Sequence, residues 1–213
     1  LFGVAFFNIF AGIPIDADHV MQGNLFTLIN PYGLIGGLLF LACFTMHGAL
    51  YLAIRTTDDL YDRAVGMAKK LWFAVVGLVV VAVGASAIWT NLYDNYLKSP
   101  VLFLIPVLAV VGLVLSRMWM GKKDWFAWGG SAVSLLALTF YGLAGIYPAM
   151  LPSSLDPAFS RTITNASSTK LTLSIMLGVV LVVIPIVIAY QVYAYKMMSH
   201  KLTDKDLEGE HAY

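Results

Sequence analysis

The chain has 213 residues, 60% of them apolar and only 12% charged, with 13 Lys and Arg against 12 Asp and Glu for a formal net charge of +1. Soluble domains carry about 25% charged residues, so most of this surface faces something other than water, and the balanced charge excludes a nucleic-acid partner, which calls for a basic patch or stripe. The lone cysteine, Cys43, lies in an apolar run and excludes both a disulfide framework and a cysteine-based metal site within the chain.

The opening run "LFGVAFFNIF" (1–10) has no basic n-region and no small-residue cleavage pattern, so it is not a signal peptide. It reads as the second half of a membrane helix, and the sequence is expected to be a fragment whose N-terminal helices are missing. Crossing about 30 Å of hydrocarbon at 1.5 Å per residue takes about 20 apolar residues, because lipid offers the backbone no hydrogen-bond partner. Five later runs meet that length, at 31–54, 71–89, 101–119, 125–147 and 171–194. The fold class is therefore all-α: a polytopic transmembrane helix bundle with five full membrane helices plus the end of a sixth, forming a single transmembrane domain over 1–213 with a tail at 195–213.

Side-chain acceptors stand at several helix starts: Asn30 before Pro31, Ser99 before Pro100, and Asp124 before Trp125. "RTTDDLYDRAVGMAKK" (55–70) reads as a surface helix extension capped by Thr57, with Asp58 and Asp59 at the positive end of its dipole. Trp72, Trp89, Trp119, Trp125 and Trp128 all fall within about four residues of an expected helix end, where amphipathic rings meet headgroups. Gly33, Gly36 and Gly37, the Gly77, Gly84 and Ala87 face, Gly129 with Gly130, and Gly142 with Gly145 read as packing seams. Pro106 and Pro185 fall inside runs and are expected to kink them. In the tail, Thr203 and Asp206 have the spacing of a capping box.

Charge sets the expected orientation. One set of connections carries Arg55, Arg63, Lys69, Lys70, Arg117, Lys122, Lys123, Lys196, Lys201 and Lys205, and the opposite set only Lys98, Arg161 and Lys170. The positive-inside tendency then makes the C-terminus cytoplasmic. The polar stretch "LPSSLDPAFSRTITNASSTK" (151–170) falls on the outer side; side-chain turns can satisfy its backbone, so it is expected to be ordered and to pack against other outer loops.

No Asp, Glu, Lys or Arg lies in the interior of any run. Buried ionisable groups mark proton and ion paths, so their absence argues against a proton-coupled carrier. His47 is the titratable side chain at depth, with Tyr51 one turn on along the same face. It could hydrogen-bond a neighbouring helix or Tyr51, contact a quinone, or ligate a haem with a second histidine supplied from elsewhere; His19, His200 and His211 lie in loops or tail. No other cofactor-binding residue, no metal site and no catalytic residue is indicated.

Five strings occur in order: "NPYGLIGG" (30–37), "HGALYLAIRT" (47–56), "LPSS" (151–154), "NASSTKLTL" (165–173) and "VIPIVIAYQVY" (183–193). Together they resemble subunit II of the cytochrome bd-type quinol oxidases, over its C-terminal part. The resemblance implies a haem-free subunit that supports assembly and stability of a haem-bearing subunit I, within a complex that oxidises membrane quinol and reduces oxygen to water. Haem b and haem d would belong to subunit I, and a small accessory subunit could attach alongside membrane lipid and quinol. Carboxylates and arginines tied to proton delivery lie in the family's early helices, so none transfers to this numbering. Some family members carry a non-basic residue such as glutamine at the position of His47. The competing readings are a secondary transporter of the inner membrane, suggested by the prolines within runs, and a small haem-b membrane anchor using His47.

Overall fold

The computed structural model describes residues 1–197 and Lys201. Eight helices follow in chain order: α1 Phe2–Ala11, α2 Leu25–Leu28, α3 Pro31–Arg55, α4 Asp58–Trp89, α5 Tyr93–Lys98, α6 Leu104–Trp119, α7 Asp124–Ile146 and α8 Lys170–Met197. Five are long and apolar enough to cross a membrane, α6 being counted with the 3₁₀ turn Pro100–Phe103 that leads into it. Their bounds fall within a few residues of the apolar runs except at α4, where the expected surface extension and the run at 71–89 are one unbroken helix of 32 residues. Nothing between Lys70 and Leu71 gives the backbone a reason to stop.

Asn30 caps α3 as its position suggests, accepting from Gly33 N at 2.7 Å with Pro31 in the first turn. Three other caps differ from expectation. Thr57 and Ser99 occupy N-cap positions but make no side-chain cap hydrogen bond. Asp124 lies inside the first turn of α7, where the Tyr61 hydroxyl donates to it at 3.2 Å. Pro106 also differs from expectation. Pro106 is the third residue of α6, where a helix has no use for its donor, and the irregularity falls ahead of it as the 3₁₀ turn. α8 continues through Pro185 without interruption. The capping pair Thr203 and Asp206 lies outside the described residues.

α3 is the hub: it packs on α1, α4 and α7, while α6 packs on α7. The α1–α3 seam closes because Gly36 presents no Cβ to the Phe7 ring, and Gly3 lies against the Gly36 carbonyl. The α6–α7 seam closes at Gly112 and Gly130; a Cβ on Gly130 would stand 2.7 Å from Ser116 N. Gly142 and Gly145 admit Phe10 and Leu92. The expected face of Gly77, Gly84 and Ala87 is not a seam, since a Cβ at either glycine would meet nothing within 4 Å and Ala87 is exposed; α4 buries Ala82, Ala85 and Ser86 instead.

Polar side chains tie these seams. Asn8, buried in α1, donates to Val4 O and to Leu28 O, both at 2.8 Å, and accepts from Asn30 Nδ2 at 2.7 Å. Trp72 donates from α4 to Leu113 O of α6 at 2.8 Å, tying its ring to the neighbouring helix. Ser134 of α7 donates to Ala109 O of α6 at 2.9 Å. Tyr32 meets Ser86 at 2.9 Å, Tyr141 donates to Tyr93 at 2.9 Å, and Tyr93 donates to Val83 O at 3.0 Å. Asn95 of α5 closes the end of α7, donating to Gly145 O at 2.9 Å and to Tyr147 O.

The polar stretch after α7 forms a small antiparallel hairpin, β1 Ala149–Leu151 with β2 Arg161–Thr162, around a 3₁₀ turn at Pro157–Phe159. It is pinned to the loop after α1: Ile13 N donates to Pro152 O and Ser154 N to Ile13 O, both at 3.0 Å, while Ser153 Oγ donates to Ile15 O at 2.7 Å. Gly12, at φ +89°, makes the turn that brings this loop under the hairpin. The basic-rich connections thus gather at one rim, and the hairpin, α2 and α5 at the other.

Replacing Gly130 by Ala is expected to overpack the α6–α7 seam and destabilise by about 1–3 kcal/mol, whereas Gly129→Ala, with nothing within 4 Å of its Cβ, is expected to be neutral; thermal unfolding in detergent compares the two. At the hairpin rim, Asp16 accepts from Val20 N at 2.8 Å and from the Gln22 amide, and the Val20 donor holds its carboxyl below the usual carboxylate range. A depressed folded-state pKa stabilises the 16–22 turn above the ordinary carboxylate pKa and loses that contribution as pH falls through the depressed value. Proteolytic nicking at this turn is therefore expected to rise on acidification, and the rise to disappear in Asp16→Asn.

Candidate functional site

His47 opens onto a cleft between α3, α7 and α8. Helical spacing builds its walls: His47 and Tyr51 are one turn apart on α3, Trp125 and Trp128 are three apart on α7, and Ile188, Gln191 and Tyr195 follow at three and four on α8. The cleft encloses about 700 Å³ and is lined mainly by apolar atoms. His47 lies over Trp128 with ring centroids 4.9 Å apart, Trp125 meets Trp128 edge-on at 5.9 Å, and Tyr51 meets Tyr195 edge-on at 6.3 Å.

The hydrogen bonds fix the histidine. Ser131 Oγ donates to Trp128 O at 2.7 Å, so its hydroxyl proton is committed to the backbone of α7. At 2.7 Å from His47 Nδ1 it therefore accepts, which places the ring proton on Nδ1. Nε2 then holds a lone pair and has no partner among the described residues. Tyr51 turns away, accepting from Arg55 Nε at 3.2 Å with the guanidinium carbon 5.3 Å from its ring centroid.

The cleft can therefore accept a hydrogen bond or offer one axial ligand, and Tyr51, Gln191 and Tyr195 supply the rest of its polar lining. Among the described residues no histidine other than His47 lines it, and no group of three or more His, Cys, Asp or Glu could hold a metal ion. His19 lies in the loop after α1, at φ 61°, and His200 and His211 lie outside the described residues. The sequence pointed to His47 and Tyr51 but not to Ser131, Trp128, Gln191 or Tyr195. The i, i+3 pair Trp128 and Ser131 was visible; that α7 and α8 face His47 was not, since nothing local encodes which helices become neighbours.

Chemically, the cleft is a neutral, aromatic-walled recess in a membrane bundle, and several families could use one. Comparison with known proteins decides among them: a family profile described as cytochrome bd terminal oxidase subunit II matches residues 1–198. The chain belongs to that family. It is 32% identical over 205 residues to the cytochrome bd ubiquinol oxidase subunit 2 of Bacillus subtilis, covering 93% of this chain and 60% of that one. To the cytochrome bd-I ubiquinol oxidase subunit 2 of Escherichia coli strain K12 it is 30% identical over 239 residues, covering 97% of this chain and 63% of that one. The chain thus spans about three-fifths of the length of the curated relatives it matches. Both the His47 cleft and the hairpin lie inside the matched region of this subunit II chain.

Replacing Ser131 by Ala removes the acceptor that fixes the imidazole. Ring-nitrogen chemical shifts of labelled His47 are expected to report a single Nδ1–H tautomer in the native chain and a mixture in Ser131→Ala, with a stability loss of about 1 kcal/mol.

Proposed function

We propose that this chain is the haem-free subunit II of a bd-type terminal oxidase, and that it supports assembly and stability of a haem-bearing subunit I while that subunit oxidises quinol and reduces oxygen. The observation that carries this reading is the charge-free interior of the five apolar runs, 31–54, 71–89, 101–119, 125–147 and 171–194. A chain that moved protons or electrons through the bilayer would place ionisable or redox groups at depth; here the deep polar groups are hydroxyls, amides and one imidazole, mostly bonded to neighbouring helices. The relatives are named as subunits of ubiquinol oxidases, which supports quinol as the substrate of the complex. In this reading haem b and haem d belong to subunit I, the basic rim faces the cytoplasm of a bacterial cell, and the hairpin of residues 149–162 meets the outer loops of the partner.

The reading as a secondary transporter loses its main support, because neither Pro106 nor Pro185 breaks a helix at mid-membrane. The reading as a haem-b anchor keeps one specific observation in its favour, the unpartnered Nε2 of His47 beside an open cleft.

The natural complex, purified in detergent, is expected to contain a second, haem-bearing polypeptide and to take up oxygen on added quinol. His47→Ala is expected to leave both the reduced-minus-oxidised spectrum and the uptake unchanged. Loss of a b-type signal in that variant, with assembly intact, would establish the anchor reading, and solute transport without haem absorbance would establish the transporter. Deleting residues 155–164 is expected to lower the thermal stability of the complex; an unchanged complex would show that the hairpin is a solvated connection.

A further inference from the structure

The rim opposite the hairpin carries cations that no acidic side chain among the described residues neutralises. Lys69 and Lys70 lie on α4, Arg117 in the last turn of α6, and Lys122 and Lys123 in the connection to α7. These two segments come together: Lys69 Nζ lies 3.7 Å from where a Cβ on Gly121 would stand, and the Arg117 guanidinium carbon lies 5.9 Å from the centroid of Phe73, one turn beyond Lys69 on α4. Lys123 Nζ lies over Trp119 at 5.0 Å and over Phe126 at 5.6 Å.

None of the five has a carboxylate partner among the described residues. Among the described residues the ion pair is Arg63 with Asp59, at 3.5 Å on the exposed face of α4. Asp124, the acid next along the chain, accepts from the Tyr61 hydroxyl. Two of the cations rest on aromatic faces instead, which orients a cation without cancelling its charge. Beside the cluster the surface is apolar and aromatic, with Phe73, Met118 and Phe126 all more than half exposed.

The geometry points to a binding site on this rim for the phosphodiester headgroup of an anionic phospholipid, with Lys69, Arg117, Lys122 and Lys123 around the phosphate and the exposed side chains beside the first carbons of the acyl tails. A free anion would be recognised by the same cations, but it would leave that apolar border uncovered at the ends of membrane helices. A zwitterionic headgroup would bring an ammonium to a cluster whose adjacent carboxylate is already engaged. The site is separate from the His47 cleft and does not depend on the reading given to that cleft.

The test uses the natural complex, stripped of lipid in a non-ionic detergent and titrated with phosphatidylglycerol, with phosphatidylcholine, and with phosphatidylglycerol in the presence of an equal concentration of inorganic phosphate, retention being read by native mass spectrometry. The native complex is expected to retain phosphatidylglycerol over phosphatidylcholine, with retention falling roughly fivefold for each cation removed in Lys122→Gln and Lys122→Gln/Lys123→Gln. These two residues are exposed in a turn, so the variants keep the fold, and Arg63→Gln, an equal charge change outside the cluster, is expected to leave retention as it was. Equal retention of the two lipids by the native complex, unchanged retention in the double variant, or displacement of phosphatidylglycerol by phosphate would each overturn the assignment.

Discussion

Helices in hydrocarbon gain nothing by hiding apolar side chains from lipid, so what holds this bundle is close approach and hydrogen bonding. α3 shows both. Gly36 lets the backbone of α1 come against it, and Asn30, at its first turn, takes up Asn8 of α1 and Gly33 N together. The same pairing recurs between α6 and α7, where Gly112 and Gly130 permit contact and Ser134 donates across it. With charged groups confined to the rims, hydroxyls and amides do this without the desolvation penalty of an ion pair. Each finds a carbonyl or another hydroxyl nearby; Ser116 Oγ alone, among the described buried side chains, does not.

Much of the fold was legible because the bilayer imposes a length. The runs 31–54, 125–147 and 171–194 needed no knowledge of partners, since composition and span identify them. The cap at Asn30 was equally local. What stayed hidden depended on neighbours. Gly77 and Gly84 looked like a seam by spacing, yet they face outward because α4 turns Ala82, Ala85 and Ser86 toward the bundle. Asn8 passed as one polar residue in an apolar run, although its amide organises the junction of α1, α2 and α3. The hairpin escaped notice because Pro152 and Pro157 suggest turns, while its second anchor, Ile13, lies nearly 140 positions earlier in the chain.

The candidate site divides the same way. His47 stood out as a titratable group at depth, but the chemistry of its ring is set by Ser131 and Trp128 on another helix. A serine committed to a carbonyl one turn back is a better acceptor than donor, and that fact, not the histidine's own position, leaves Nε2 exposed to the cleft. Scaffold and cleft are therefore not rival descriptions. A bundle whose deep polar groups are already bonded to one another is stiff, and a nitrogen without a partner among the described residues in such a frame is held in a fixed direction.

α8 is the exception to this economy. It has no buried residue, and it forms one wall of the cleft, where Tyr195 meets Tyr51. Its other end is tethered through residues 163–169 to a hairpin that is itself fastened to the loop after α1. A rod with so little lateral packing turns nearly every side chain outward, so most of its contacts are left to the lipid or protein beside it, and the wall it gives the cleft is the least braced of the three.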